Sequence, residues 1–600
     1  MLKRFAKKTL LRGAGAFILL LLILLFRPSP ILPFAMKSDL ELLTEPFLQL
    51  PTETSVRVVW FTEFAGTRHF VNFGKNLDKE TVATTTKLSR VREDERSRFQ
   101  GQTKDNIVFN KPVMRNIWRH EAVVEGLVLG AKIPYFVSSV RENGRSFKSA
   151  VFSLAPAPLR NQALKILLTS DHQLKPMTAA NLQKVEETIG QVDAVFFAGD
   201  LVNIPDRASE WFDDQRGGAF FPCLQGRAFY ELEKNGVKTI YKGGQIIQNA
   251  PLFPATGNHE VMGRYSMETN LNEQYNDAIP RQVAVDFYNK IAQQINPNND
   301  PLLREAWIKA NSFNTDTYQE IFSLPDSGDG GENYYALTFG DVRLVSLYVT
   351  NIWRTFNLDD DARGKYRERK ADLKKPEAWG YGQHIFEPID KGSKQYEWLE
   401  NELNSDEFKK AKFKVVMLHH PAHSLGANIV PAFTDPVAVI VRNEQKEIES
   451  IRYEYPLEND YIIRDLVPLL EKAGVQLVFY GHSHIWNRFV GKTGMHFLES
   501  SNVGNSYGAA VAKNPRPVPV GYEEEYAAVG NPNGLEPVLP SISSVLGEDG
   551  KAQAFIGSND LTVFSIFDTG KRTVSSYYFD TRKPESNVIK FDEFVIGAGG

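Results

Sequence analysis

The chain has 600 residues, 42% of them hydrophobic and 24% charged, which is too apolar for a disordered protein and too long for one ordinary core. Its 69 Lys and Arg nearly balance 73 Asp and Glu, for a formal charge of -4, so no bulk cation excess exists to condense on nucleic acid and dedicated nucleic-acid binding is disfavoured. The single cysteine, Cys223, excludes an intramolecular disulfide and a thiolate zinc cluster, so any metal site must draw on His, Asp, Glu, Asn or Gln.

In chain order, Lys3, Arg4, Lys7, Lys8 and Arg12 precede an apolar run from Gly13 to Phe26 that Arg27 and Pro28 end. This is the layout of a signal anchor or signal peptide over residues 1–36. At ~1.5 Å per residue the run covers about 21 Å, short of the ~30 Å hydrocarbon core, and Pro33, Phe34 and Ala35 make a poor cleavage site. Export is expected, with membrane anchoring placed ahead of cleavage and secretion. Residues 37–155 alternate like an antiparallel sheet. Val56, Val58 and Trp60 share one face, further strands are expected over 69–73, 121–127 and 133–140, and Asn143-Gly144 turns a hairpin into Ser149–Phe152. The pattern fits a β-sandwich that the Ala155–Pro158 linker closes.

The grammar then changes. Leu164–Leu168 reads as a buried strand, Thr178–Gln191 as a helix carrying Leu182, Val185 and Ile189, and Val192–Phe197 as a second strand, a βαβ unit. The pattern recurs at Phe413–Leu418, Tyr461–Ala473 and Val475–Tyr480. A sheet with helices on its faces follows, and such sheets gather ligands at the carboxyl ends of their strands. Polar residues stand at five of those ends: Ser170-Asp171-His172-Gln173, Gly199-Asp200, Gly257-Asn258-His259-Glu260, His419-His420-Pro421 and Gly481-His482-Ser483-His484. With His423, they hold seven of the 11 histidines, a convergence that packing explains poorly.

These blocks, in this order, resemble the calcineurin-like metallophosphoesterase superfamily, whose signature runs D-x-H, G-D, G-N-H-[ED], a histidine before a proline, and G-H-x-H. The resemblance implies an α/β catalytic domain over 160–600, a four-layer αββα sandwich holding two divalent or trivalent metal ions such as Mn, Fe or Zn. It implies Asp200 as the bridging carboxylate, Asp171 and His484 at the first metal, and Asn258, His419 and His482 at the second. His419 is preferred to His420 because the family places that ligand two residues before the proline. Hydrolysis of phosphate esters would then proceed by attack of a hydroxide held between two metals. His259 would act as acid or phosphate donor, oriented by Glu260, with His420 and His423 as substrate-facing or structural neighbours. One departure stands out: the D-x-H histidine falls at Gln173, leaving either its amide or His172 to reach the first metal. The purple acid phosphatase branch would show glycine at 173 and tyrosine at 203, where this chain has Asn203. The sandwich resembles, more loosely, the fibronectin-type-III-like domain of that branch.

Residues 203–250, 261–333, 351–394 and 503–553 are insertions, and loops of that length are commonly functional. Trp211, Phe220, Phe221 and Tyr265 could line a pocket, with packing the plainer reading. The run Arg363–Lys375 could attract an anion or be a solvated helical face. The Leu561–Phe567 and Thr573–Phe579 hairpin is expected to complete the second sheet. The expected function is a phosphoesterase, monoesterase or diesterase. Its rival is a non-catalytic phosphate- or metal-binding ectodomain.

Overall fold

Val56, Val58 and Trp60 on the strand Ser55–Thr62 are fully buried, as alternation requires of a sheet face. In the computed structural model, which describes residues 42–98, 109–328, 330–501, 504–522, 524–530 and 533–597, that strand pairs with Trp118–Glu125 in a four-stranded antiparallel sheet. A five-stranded sheet holds Arg68–Phe73 and Ile133–Val140, and the Trp60 indole donates across to Ser139 Oγ at 2.9 Å. The Asn143-Gly144 turn forms, with Gly144 at φ +82°, but its return strand begins earlier, at Ser146–Lys148, and resumes at Phe152–Leu154. The signal or anchor over 1–36 lies outside the described residues, among which no helix is long and apolar enough to cross a membrane.

The same strand also buries its other face. Val59 and Phe61 share a core cluster with Leu167, Phe197, Trp211, Phe220 and Phe221, so the sandwich packs directly onto the following domain, and Leu42–Gly600 forms one compact unit. A fully buried Arg92–Asp206 ion pair at 2.6 Å crosses the same boundary. Segment 203–250 therefore contributes core, and its aromatics Trp211, Phe220 and Phe221 are packing residues.

Beyond the linker, two sheets lie between helical layers. The first, of six strands, pairs Lys165–Thr169 in parallel with Ala194–Phe197, which pairs in parallel with Leu252–Pro254. The second, of seven strands, carries Val342–Ser346, Phe413–Met417, Leu477–Tyr480 and His496–Ser500 in parallel. Ile166, Leu168 and Phe196 pack with Val415, Met417, Leu477 and Phe479 between the sheets, while their neighbours Leu167, Val195 and Phe197 face outward toward the helix Thr178–Ile189. On the far side Val416 and Val478 meet Leu399, Leu403 and Leu470 of the helices Lys394–Asn404 and Val467–Ala473. This is the four-layer αββα sandwich, preceded by an all-β sandwich. The late hairpin, Leu561–Asp568 with Thr573–Asp580, joins the first sheet instead of the second, antiparallel to Lys165–Thr169. Pairing at so long a separation leaves no local mark in the sequence.

Candidate metal centre

The parallel strands of both sheets end at one place, and there the backbone leaves the extended conformation abruptly. Asp171, Gln173, Asp200, His482 and His484 all have positive φ, from +39° to +82°, a region that costs ordinary residues about 1–3 kcal/mol each and persists only where the surroundings impose it. Two buried glutamates brace the Asp200 loop and the loop carrying His482 and His484. Glu260 accepts the backbone N–H groups of Asp200 at 2.8 Å, Leu201 at 2.8 Å and Gly257 at 2.7 Å. Glu499 accepts the Ser483 N–H at 2.8 Å, the Ser424 hydroxyl at 2.7 Å and the Asn487 amide at 2.9 Å. Gly199, at φ +86°, lets the loops close: a Cβ there would lie 2.8 Å from Gly257 Cα and from His419 Nδ1.

Within this frame His419 is the hub. Its Nδ1 lies 2.7 Å from the Ala198 carbonyl oxygen, which can only accept, so Nδ1 carries the proton and Nε2 of the neutral ring offers a lone pair. That Nε2 faces Asp200 Oδ2 at 3.1 Å, Asn258 Oδ1 at 3.1 Å and His482 Nδ1 at 3.0 Å. Four donor atoms thus converge on one place. Burial disfavours an imidazolium here, but Asp200 outweighs it and pulls the His419 pKa upward. Carboxylate, amide oxygen and imidazole donors suit a borderline divalent cation such as Zn or Mn.

A second group adjoins it through Asp200. His484 Nδ1 donates to the Asn505 carbonyl at 2.7 Å, which turns Nε2 toward Asp171 Oδ1 at 3.3 Å. The Asp171 carboxylate also accepts from Ser170 Oγ at 2.6 Å and from the His482 N–H at 3.0 Å. Asp171, Asp200 and His419 each place a ligand atom within 4.8 Å of the others. The Gln173 side chain reaches this edge: its amide nitrogen lies 3.1 Å from Asp200 Oδ2, and its buried Oε1 has no hydrogen-bond partner.

His259 stands at the rim, its side chain 20% exposed. Its Nδ1 donates to the Asn203 carbonyl at 2.7 Å, its ring stacks on Tyr275 at 5.0 Å, and its Nε2 is 4.0 Å from Asp200 Oδ2. The orienting partner is therefore the Asn203 backbone and not Glu260, which instead braces the Asp200 loop. Burial lowers the His259 pKa against the pull of Asp200.

Three more expectations need correction. His172 points away from the centre: its ring meets the edge of Phe197 at 4.5 Å and Thr169 Oγ1 at 3.1 Å, so it is packing. His423 lies against Phe489 and Phe497 in the outer core of the second sheet. The run Arg363–Lys375 is no helical face but irregular chain with one 3-10 turn, in which Arg363, Arg367, Arg369 and Lys374 are spent on Asp277, Asp360, Asp372 and Glu447. His420 stays close, its ring 3.8 Å from His482 and tilted 32° to it, with Nε2 2.8 Å from Asn351 Oδ1. One of its ring nitrogens lies within 4.8 Å of ligand atoms of His419 and His482, while His419 holds the central position. Glu499, Tyr275, Tyr507 and Lys175 were not singled out by the sequence. Glu499 alone had a signal, an acidic residue directly after the apolar pair Phe497-Leu498.

An αββα sandwich with carboxylate, imidazole and amide donors converging at its strand ends is the architecture of a metal-dependent phosphoesterase. The chain belongs to the calcineurin-like phosphoesterase family, which matches residues 164–486. A probable purple acid phosphatase 20 of Arabidopsis thaliana is 30% identical over 153 residues, which cover 23% of this chain and 30% of that relative. The purple acid phosphatase PPD1 from yellow lupin (Lupinus luteus) seeds shares the fold with a TM-score of 0.51 at 14% identity, over 92% of this chain and 73% of its own.

Proposed function

We propose that the protein is a two-metal phosphoesterase that hydrolyses phosphate esters. The observation that carries the reading is the convergence of four donor atoms on the space beside His419 Nε2. Asn258, His419 and His482 would hold one ion, Asp171, His484 and Gln173 the other, and Asp200 both. Gln173 would turn its amide so that the oxygen, rather than the nitrogen, meets the Asp200 side. The metal pair would supply Lewis acidity toward phosphoryl oxygens and acidify a water to a nucleophile near neutral pH.

The chain's own residues do the rest. The Asn203 carbonyl keeps the His259 Nδ1 protonated, so Nε2 is the nitrogen that exchanges a proton with the leaving oxygen or donates to the phosphate. Tyr275 fixes the plane of that ring. Glu260 and Glu499 hold the loops in left-handed conformations that aim Asp200, His482 and His484 inward. The cations before Gly13 and the apolar run after them support export, as an anchored or secreted protein.

Turnover of an aryl phosphate monoester and of a diester, before and after chelation, tests the reading. Hydrolysis that chelation abolishes and added metal restores is the expected result. A protein that binds metal yet turns over neither ester would be the non-catalytic ectodomain instead.

A further inference from the structure

We infer that Lys175 is a phosphate-binding residue of this site and makes it selective for dianionic phosphate monoesters over monoanionic diesters, an inference that rests on the phosphoesterase reading. Lys175 lies two residues beyond Gln173, and its root is fixed on both sides, by its own N–H to the His172 carbonyl at 2.7 Å and by the Thr178 N–H to its carbonyl at 3.1 Å. Its ammonium lies 5.9 Å from the centroid of Tyr507, whose ring stacks on the inward-facing His484 at 4.8 Å. The charges of Asp171, Asp200 and Glu210 act on it, and it acts in turn on His259. Lys175 therefore lies beside Tyr507 on the His484 side of the site, near enough to act on Asp171, Asp200 and His259.

The ammonium is also unspent. Among the described residues it forms no ion pair within 4.0 Å, because the nearby carboxylates are committed elsewhere. Glu210 holds the Asn203 and Ile204 N–H groups and Arg207, Asp171 holds Ser170 and the His482 N–H, and Asp200 faces His419 and the His259 N–H. Lys175 is half-buried, and an ammonium with three free donors beside a partly desolvated site is best satisfied by an anion. A phosphate monoester offers three non-bridging oxygens and two charges, whereas a diester offers two and one. The additional oxygen and charge are what a point cation at the rim can read.

The test compares Lys175→Met and Lys175→Arg with the unaltered, metal-loaded chain. It reads kcat/KM on an aryl phosphate monoester and on its diester, the affinity for inorganic phosphate by calorimetry, and metal content. Loss of one charge-assisted hydrogen bond should lower monoester kcat/KM by roughly 10–100-fold in Lys175→Met, with a loss about tenfold smaller on the diester. Phosphate affinity should fall in parallel, metal content should hold, and Lys175→Arg should retain most of the monoester rate. Equal losses on both esters, no loss on the monoester, or a fall in metal content would each overturn the assignment. If the unaltered protein hydrolyses neither ester, the phosphoesterase reading fails separately, and phosphate binding unchanged by Lys175→Met would then overturn this one.

Discussion

Two buried histidine groups in this chain make opposite use of the same side chain. In the β-sandwich His69 and His120 stack 3.6 Å apart between the two sheets, and every ring nitrogen has a complementary partner. His69 donates from Nε2 to the Ala65 carbonyl at 2.7 Å and accepts at Nδ1 from Ser139 at 2.8 Å. His120 donates from Nε2 to Thr62 Oγ1 at 2.8 Å, whose own proton goes to the Phe64 carbonyl, and accepts at Nδ1 from Thr85 at 2.9 Å. At the strand ends of the catalytic sheets, backbone carbonyls fix the proton on the far nitrogens of His419 and His484, and the near nitrogens meet only other acceptors. Burial is common to both groups. What separates a packing histidine from a ligand is whether lone pairs are matched by protons or aimed at one another.

The largest effect on the unmatched group should come from Asp200→Asn, which removes the only carboxylate expected to touch both ions. Metal content and turnover should fall together, the latter by at least about 10³-fold, on the scale of residues that act as a unit. Two bound metals with turnover intact would reject the bridging role. His259→Ala should lower turnover by about 10²–10⁴-fold while leaving metal content unchanged; loss of metal would move His259 among the ligands.

The matched group makes its prediction in acid. Burial first, then His69 and Arg119, press the His120 pKa from 6.5 down to about 2. The folded state therefore binds the proton less well than the unfolded chain, so this stability is complete above about pH 6.5 and is lost as pH falls below it. The slope is about 1.4 kcal/mol per pH unit. In denaturant melts below pH 6, His120→Asn should flatten the dependence by about one proton relative to the unaltered chain, and equal slopes would show that His120 is not held neutral. The smallest effect is expected from Gln173→His, which replaces an amide with a stronger donor for transition metals. It should raise occupancy of the Asp171–His484 half, measured as tighter binding of the more weakly held ion. No change would show that the position is already filled.

The unmatched group was legible in the sequence because strand ends put its members in fixed, local blocks: Asp171, Asp200, Asn258, His259, His419, His482 and His484 all gather where the two sheets end. What holds these residues was not legible. Glu499 braces a loop that ends 15 residues before it, and Glu260 was assigned to the ring beside it rather than to a backbone 60 residues away. Tyr507 arrives on a stretch without periodicity. The partner sheet of the late hairpin escaped for the same reason, since contacts across hundreds of residues depend on register and not on local pattern.

Counting the metal ions bound per chain is the measurement that bears most directly on the account. The protein, stripped with a chelator and titrated with Mn or Zn, should bind two ions in separable steps, the tighter at the half formed by Asn258, His419 and His482. Binding of no ion, or of two ions that survive replacement of His419 and Asp200 together, would contradict it.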